Sequence, residues 1–324
     1  MSLRVAVQMD PLDTINIAGD SSFALMLAAQ ARGHEVWHYD VASLAYESDG
    51  TPHGRITAHA APVTVQRDAG NHFSAGERRR IDLAQDIDVI LMRQDPPFHL
   101  GYISAALLLD RLKGKTLVAN DPREVVNAPE KMFVLDYAQY MPPTLVARHV
   151  DDLRAFQKKH GSVVVKPLHG NGGKAIFRID ESGTNLSALS EVFDQTWPEP
   201  HMVQPFLPEV SEGDKRIVLV DGEFAGAINR FPGEGEFRSN LAQGGHAEAT
   251  ELTAREEEIC AAMGPELKRR GLVFVGIDVI GGKWLTEINV TSPTGIVAID
   301  RFNGTDTAGA LWDATERRHR EMQR

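Results

Sequence analysis

Val273-Phe274-Val275-Gly276-Ile277-Asp278-Val279-Ile280 is an apolar run interrupted by one acid, and it continues across Gly281-Gly282 into Lys283-Trp284-Leu285-Thr286-Glu287-Ile288-Asn289-Val290. Both halves are rich in β-branched and aromatic residues and the glycine pair supplies a turn, so the stretch predicts two strands joined as a hairpin. A carboxylate buried in such a strand is costly unless a cation or hydrogen-bond donors compensate it. Side chains two apart on a strand share a face, so Glu287 and Asn289 point the same way. The turn length decides where Asp278 points. A two-residue turn sets Asp278 opposite Leu285 and diagonal to Glu287, and a four-residue loop sets it directly opposite Glu287; either way the three polar groups share one side. A three-residue loop would separate them.

Oxygen atoms from two acids and one amide suit Mg²⁺, which takes few protein ligands and completes its octahedron with water and substrate phosphates. The cluster therefore points to a nucleotide. The plain alternative is a polar sheet face at a surface, and the apolar flanks Val279, Ile280, Ile288 and Val290 argue against it.

A second constellation lies upstream. Val163-Val164-Val165-Lys166-Pro167 ends an apolar strand on a lysine, and His169-Gly170-Asn171-Gly172-Gly173-Lys174 follows. Glycines let backbone N–H groups approach phosphate oxygens, and lysine supplies charge. The P-loop pattern is absent, and this loop joins strand to strand instead of opening a helix, which disfavours P-loop and Rossmann geometry. A plain β-turn is the alternative for such a loop taken alone. Its company is Lys131 in Ala128-Pro129-Glu130-Lys131-Met132-Phe133 and the segment Val203-Gln204-Pro205-Phe206-Leu207-Pro208-Glu209, whose backbone could pair with a base edge or simply connect two lobes. Finally, Arg230-Phe231-Pro232-Gly233-Glu234-Gly235-Glu236-Phe237-Arg238-Ser239-Asn240 runs into Gln243-Gly244-Gly245, a loop with the composition to move and close over an anion.

The bulk properties limit the functions to be considered. At 324 residues the chain has room for about two domains, and 42% hydrophobic with 24% charged residues is ordinary for a folded globular protein. The net charge of −11 speaks against a nucleic-acid partner, which would call for clustered Lys and Arg. The runs Arg78-Arg79-Arg80 and Arg317-Arg318-His319-Arg320 read as solvated helix faces. A single cysteine, Cys260, excludes an internal disulfide, suits a reducing cytoplasm and sits in a helical pattern that buries it. Neither a signal-peptide core nor an apolar run near the roughly 20 residues of a membrane span is present.

Along the chain, Leu3 to Met9, Glu35 to Tyr39, Val89 to Met92 and Leu117 to Asn120 read as strands, with helices from Ser22 to Arg32 and Ile103 to Lys113, the rhythm of a parallel α/β sheet. Residues 46–86 read as short strands and loops. Asp121-Pro122 marks a boundary. Beyond it, strands at Val163 to Lys166, Ala175 to Ile179 and Met202 to Gln204 with helices at Val150 to Lys159 and Leu186 to Thr196 suggest a small α+β lobe. Asp221-Gly222 signals a hairpin, and Thr253 to Arg270 a capped helix. The expected organisation is an N-terminal α/β domain over 1–122, a lid lobe over 123–204 and a metal-site lobe over 205–324.

Asn127-x-x-Glu130-Lys131-Met132, Val165-Lys166-Pro167-Leu168, the Gly170 to Gly173 loop, Gly213-Asp214-Lys215-Arg216, Arg238-Ser239-Asn240 and Thr286-Glu287-Ile288-Asn289-Val290-Thr291-Ser292-Pro293-Thr294 together resemble bacterial glutathione synthetase, of the ATP-grasp superfamily. The resemblance spans nearly the whole chain, including Met9-Asp10-Pro11, Asp20-Ser21-Ser22-Phe23 and Met92-Arg93-Gln94-Asp95-Pro96-Pro97-Phe98. It implies an α/β fold, with a parallel N-terminal domain followed by an ATP-grasp module of two α+β lobes. It implies that Lys131 and Lys166 hold ATP phosphates under the loop of Gly170, Gly172 and Gly173, that Gln204, Phe206 and Leu207 meet adenine, and that Asp214 approaches the ribose. Asp278, Glu287 and Asn289 would hold Mg²⁺, with Mn²⁺ as an alternative. ATP would phosphorylate the cysteinyl carboxylate of γ-glutamylcysteine and glycine would attack the acyl phosphate, with Arg216, Arg238 and Asn240 serving the chemistry and Arg93, Arg230, Ser292 and Thr294 the substrates. The resemblance further implies a tetramer and a cytoplasmic enzyme.

Three features depart from the family pattern: the turn at Gly281-Gly282 is one residue longer, His246 stands where an arginine is usual, and Glu236 to Leu241 also resembles the ATP-grasp ligases that add glutamate to a ribosomal protein. Another ATP-grasp carboxylate–amine ligase is thus the alternative enzyme, and a nucleotide-binding regulator on the same scaffold the alternative without catalysis.

Overall fold

The computed structural model describes every residue except 1, 49, 51–53, 198 and 240–244. The first 120 residues form β1 (Arg4–Gln8), α1 (Ser21–Ala31), β2 (Glu35–Tyr39), β3 (Ala45–Glu47), β4 (Arg55–Val65), β5 (Phe73–Ala75), β6 (Arg79–Asp82), β7 (Val89–Met92), α2 (Leu100–Asp110) and β8 (Leu117–Ala119). The sheet runs β3-β4-β2-β1-β7-β8, parallel from β2 to β8, with β4 antiparallel to β2 and β5 and β6 paired to β4. Buried Val5, Ala6, Val7, Ile90 and Leu91 explain the near-continuous apolar reading of β1 and β7, as expected of strands covered on both faces. The segment 46–86 departs from expectation by containing the eleven-residue strand β4. Its alanines and Pro62 weaken the strand signal, and its order comes from pairing with β2, β3, β5 and β6, which local sequence does not reveal.

Asp121-Pro122 opens α3 (Pro122–Asn127), with proline at the first helical position and Asp121 accepting from the Arg123 N–H. Next come α4 (Glu130–Phe133), β9 (Leu145–Ala147), α5 (Val150–His160), β10 (Val163–Pro167), β11 (Phe177–Ile179), α6 (Leu186–Thr196) and β12 (His201–Pro205). The sheet β11-β10-β12-β9 is antiparallel and packs on α5 and α6 around Leu153, Val163, Val165 and Phe193. This sheet and its two helices form a small α+β unit.

The remaining chain forms β13 (Asp214–Val220), β14 (Glu223–Phe231), β15 (His246–Ala249), α7 (Ala254–Arg269), β16 (Phe274–Ile280), β17 (Trp284–Asn289), α8 (Ile296–Asn303) and α9 (Thr307–Met322). The sheet order is β15-β14-β13-β16-β17, antiparallel throughout. The β13–β14 turn is Asp221-Gly222 with φ of 51° and 84°, both left-handed as a two-residue hairpin requires. Thr253 caps α7 reciprocally with Glu256.

Two contacts seat the lobes. Asn120 Nδ2 donates to the carbonyls of Phe274 (2.8 Å) and Val290 (2.7 Å), tying the end of β8 to the site hairpin. Helix α9 returns to the first domain, where buried Trp312 donates to the Leu25 carbonyl at 2.9 Å. The basic run on α9 is not simply solvated: Arg317 and Arg318 clamp buried Asp221, and His319 is buried. Cys260 is buried as expected. Among the described residues no helix is long and apolar enough to cross a membrane.

Candidate active site

Asp278 on β16 lies directly opposite Glu287 on β17, and Asn289, two residues on, points from the same side, its Nδ2 at 3.4 Å from Asp278 Oδ2. The turn between the strands, Gly281-Gly282-Lys283, has the three residues that should have scattered this group. A β-bulge between Asp278 and Val279 restores it: Val279 pairs with Leu285, Asp278 pairs with Glu287, and Thr286 is the extra residue, donating its hydroxyl to the Asp278 carbonyl at 3.2 Å.

Asp278 is compensated by two arginines from neighbouring strands. Arg216, its register partner on β13, grips it bidentately (Nε–Oδ1 2.6 Å, Nη2–Oδ2 3.1 Å), and Arg230 of β14 adds Nη2 to Oδ1 at 3.1 Å. Arg230 also reaches Asp214 Oδ2 at 2.8 Å. Burial would raise the Asp278 pKa, but the two guanidinium groups outweigh it and hold the carboxyl well below the usual range. Asp214 moves the other way, to about 6, because burial and the Asp278 charge outweigh Arg230. Its Oδ1 is buried and unpartnered.

The two lysines come together beneath the glycine loop. Lys131 Nζ donates to the Gly170 carbonyl at 2.7 Å and pairs with Glu287 at 3.1 Å. The Lys166 side chain is buried and its ammonium makes no hydrogen bond or ion pair among the described residues, and burial lowers its pKa. Lys131, Lys166, Gly170, Gly172, Gly173 and Glu287 line one small recess. An unpaired buried ammonium in a glycine-lined recess is an anion site by its chemistry.

Two larger spaces meet at Glu287. A narrow slot of about 100 Å³ is lined by Gln204, Phe206, Leu207, Asp214, Phe237 and Asp278 among others. The Phe206 N–H is taken by the Ser162 carbonyl at 2.8 Å, while the Phe206 carbonyl and the Leu207 N–H make no hydrogen bond among the described residues. One acceptor and one donor thus remain beside the slot, where a base edge could use them. Arg238 closes it from above, bonding the Gly173 carbonyl at 3.1 Å while held by Glu236. Beyond Glu287 opens a cleft of about 640 Å³, lined by Arg216, Arg230, Asn289, Ser292 and Thr294 and by Asp20 and Asp95 of the first domain. Arg93 does not line the cleft. It is buried beside it, donating to the Ser22 hydroxyl and the Pro293 carbonyl, both at 2.9 Å, and so fixes the loop of Ser292 and Thr294. Ser292 donates to the Gln94 carbonyl at 2.9 Å. Asn240 lies outside the described residues. His246 is exposed and stacks on Phe231, away from the cleft lining.

Sequence reasoning missed Glu130, Asp20, Asp95 and Phe237, which line these spaces. Glu130 accepts from Thr291 Oγ1 at 2.8 Å, and its pKa is pushed up to about 7 by burial and by Glu287, against the pull of Lys131. Each lies in a segment singled out for a neighbouring residue. Acids beside the Asp-Pro-Pro and Asp-Ser-Ser signatures were the available signal.

The geometry therefore offers a phosphate recess, an oxygen-ligand pair with an amide, and a base-sized slot, all touching one open cleft. Comparison with known proteins agrees. The profile described as prokaryotic glutathione synthetase, ATP-grasp domain, matches residues 130–304, and the one described as its N-terminal domain matches residues 3–125. The chain is 53% identical over 316 residues to glutathione synthetase of Rhodopseudomonas palustris, covering 98% of this chain and 99% of the relative. It is 42% identical to that of Shewanella oneidensis over 318 residues, covering 98% and 99%. In fold it is similar to D-cycloserine synthetase DcsG, with a TM-score of 0.68 at 17% identity over 97% of this chain and 99% of that one. A RimK domain protein of the ATP-grasp type from Sphaerobacter thermophilus gives a TM-score of 0.63 at 20% identity, over 96% and 98%.

Proposed function

Because the chain belongs to the prokaryotic glutathione synthetase family, we propose a plan in which each space of its site has one task in joining γ-glutamylcysteine to glycine. The protein is an ATP-dependent ligase of glutathione biosynthesis, using a divalent cation. The slot takes adenine, with the Phe206 carbonyl and Leu207 N–H on its edge and Asp214 toward the ribose. The recess takes the phosphates, and the cleft takes the dipeptide and the amino acid.

The observation that carries this plan is Lys166. A buried ammonium without a partner is a standing cost in the free protein, and a polyphosphate removes that cost. The donor set fits a cation shared with phosphate. Among the described residues no three His, Cys, Asp or Glu side chains form a protein-only cage, whereas Asp278, Glu287 and the Asn289 amide present oxygen chemistry on one side. We assign Mg²⁺ to them; when bound, it would neutralise phosphate charge and align the terminal phosphoryl group.

The chain's own residues do the rest. Lys131 and Lys166 orient the phosphates for transfer to the dipeptide carboxylate, giving an acyl phosphate. Arg216 and Arg230 line the dipeptide cleft, where their guanidinium groups can receive its carboxylates and the developing oxyanion. Arg238, bonded to the Gly173 carbonyl at the recess, shields the reacting anion from water, because an acyl phosphate is lost to hydrolysis if the recess stays open. Ser292 and Thr294 shape the acceptor end, and Arg93 positions them. We place the lobes at 1–122, 123–204 and 205–324, and infer a cytoplasmic tetramer from the family resemblance.

Purified protein given γ-glutamylcysteine, glycine and Mg-ATP should form glutathione, ADP and phosphate in equal amounts. Absence of glutathione from that mixture, with the protein folded and binding nucleotide, would reject the substrate assignment. Elution at a monomer's size at working concentration would reject the tetramer.

A further inference from the structure

The cleft is lined by four carboxylates, Asp20, Asp95, Glu130 and Glu287. Three have evident roles or places. Asp20 caps α1 through the Phe23 N–H at 2.6 Å. Asp95 lies among Asp10, Asp20 and Arg93, at the end of the cleft built by the first domain. Glu287 pairs with Lys131. Glu130 is different. It begins α4, one oxygen accepts from Thr291 Oγ1 at 2.8 Å, and the other makes no hydrogen bond or ion pair among the described residues. It lines the cleft within electrostatic reach of Glu287 and Lys131, both of which also line the recess.

Lys131 and Arg216 favour the charge of Glu130 but form no ion pair with it, and burial with Glu287 outweighs them, so a cation from outside the chain is its natural complement. The ligation supplies one. The acceptor amino acid arrives with an ammonium group, and that nitrogen must reach the activated carboxyl carbon near the phosphate end of the cleft. We propose that Glu130 receives the ammonium of the acceptor amino acid and sets its nitrogen toward the acyl phosphate, making Glu130 a residue for acceptor recognition. Thr291 holds the carboxylate in place by occupying one oxygen and leaving the other to the ligand. The inference rests on the ligation reading above.

The test compares glycine with hydroxylamine, a nucleophile uncharged at neutral pH that traps an acyl phosphate as a hydroxamate without an ammonium to seat. For Glu130→Gln, kcat/KM for glycine should fall about 10- to 100-fold, the worth of one charge-assisted hydrogen bond. Hydroxamate formation from ATP and γ-glutamylcysteine should fall several-fold less than the glycine rate, and Glu130→Asp should recover part of the glycine rate. Equal losses with glycine and hydroxylamine, or no loss with glycine, would overturn the assignment. If Glu130→Gln fails to fold, the same glycine-to-hydroxylamine ratio is read on Glu130→Asp, where a ratio equal to wild type overturns it. Failure of the wild-type protein to make glutathione would count against the ligation reading, whereas an unchanged ratio in a variant counts against Glu130, so the two failures are distinct.

Discussion

Asp278 and Glu287 are register partners across β16 and β17 although the turn joining those strands has the wrong length to make them so. Extending the pairing of Ile280 with Trp284 and Val279 with Leu285 would set Asp278 opposite Thr286 and turn Glu287 to the other face. The bulge at Thr286 absorbs one residue and brings both carboxylates to one side. Bulges of this kind re-aim a side chain next to an active site. Glu287 ends up where the slot, the recess and the cleft meet.

Glu287→Gln keeps the shape of that junction and removes its charge. Turnover should fall by at least about 100-fold, the scale for deleting one preorganised electrostatic group. The fold should survive, because the Lys131 Nζ retains the Gly170 carbonyl. Steady-state glutathione formation and a melting curve decide the matter together. Unchanged turnover would mean the cation is held elsewhere.

Lys166→Met removes the unpaired ammonium. Burial lowers the Lys166 pKa, so folding disfavours the charged form that the unfolded chain carries freely at pH 7. The free variant should therefore melt at a higher temperature than wild type at pH 7, while the rise in melting temperature on adding a Mg-ATP analogue should largely vanish. Thermal melts with and without the analogue read both effects. A variant that melts lower but keeps its nucleotide-induced rise would show that Lys166 serves the fold instead of the phosphates.

How much of this was legible in the sequence follows from which pairings are local. Asp-Gly at 221–222, the Thr253 cap and the period-two pattern of β16 and β17 express preferences within a few residues, and the structure contains them all. The turn after Ile280 reads plausibly at several lengths, and only the bulge rescues the reading. The partners of Asp278 were out of reach: Arg216 becomes its neighbour only once β13 is known to lie beside β16, and Arg230 comes from the strand beyond. Strand β4 stayed hidden because alanine and proline say little until the neighbouring strands are in place. Glu130 stood one residue from a recognised lysine and looked like the ordinary acid at a helix start.

Glu130→Gln should also stabilise the protein, in a pH-dependent way. The folded pKa of Glu130 lies near 7, above the ordinary value of 4.5, because burial and Glu287 disfavour its charge. Below the ordinary value both folded and unfolded chains are protonated and no penalty arises. As pH rises toward 7 the unfolded chain ionises freely while the folded one resists, so wild-type stability falls across that window. The glutamine variant lacks this penalty. Its melting temperature should match wild type near pH 4.5, exceed it at pH 8, and do so in a protein that uses glycine poorly. A constant gap across the range would mean that the change acts through packing.

Arg238→Ala separates chemistry from nucleotide binding. In the free protein Arg238 is occupied by Glu236 and by the Gly173 carbonyl, and with Phe237 it covers a slot of only about 100 Å³. Its guanidinium is thus already engaged within the protein, and nucleotide binding draws nothing from those contacts. Its part comes with the chemistry, when the guanidinium, placed at the Gly173 carbonyl, can close over the transferring phosphoryl group. The alanine variant should therefore bind a Mg-ATP analogue about as well as wild type, while its turnover drops by about 100-fold. It should also release phosphate without forming glutathione, because an uncovered acyl phosphate meets water before it meets the amine. Calorimetry for nucleotide affinity, beside the ratio of phosphate to glutathione, tests both halves. Loss of nucleotide affinity with a preserved ratio near one would move Arg238 from the reacting centre to the ATP site.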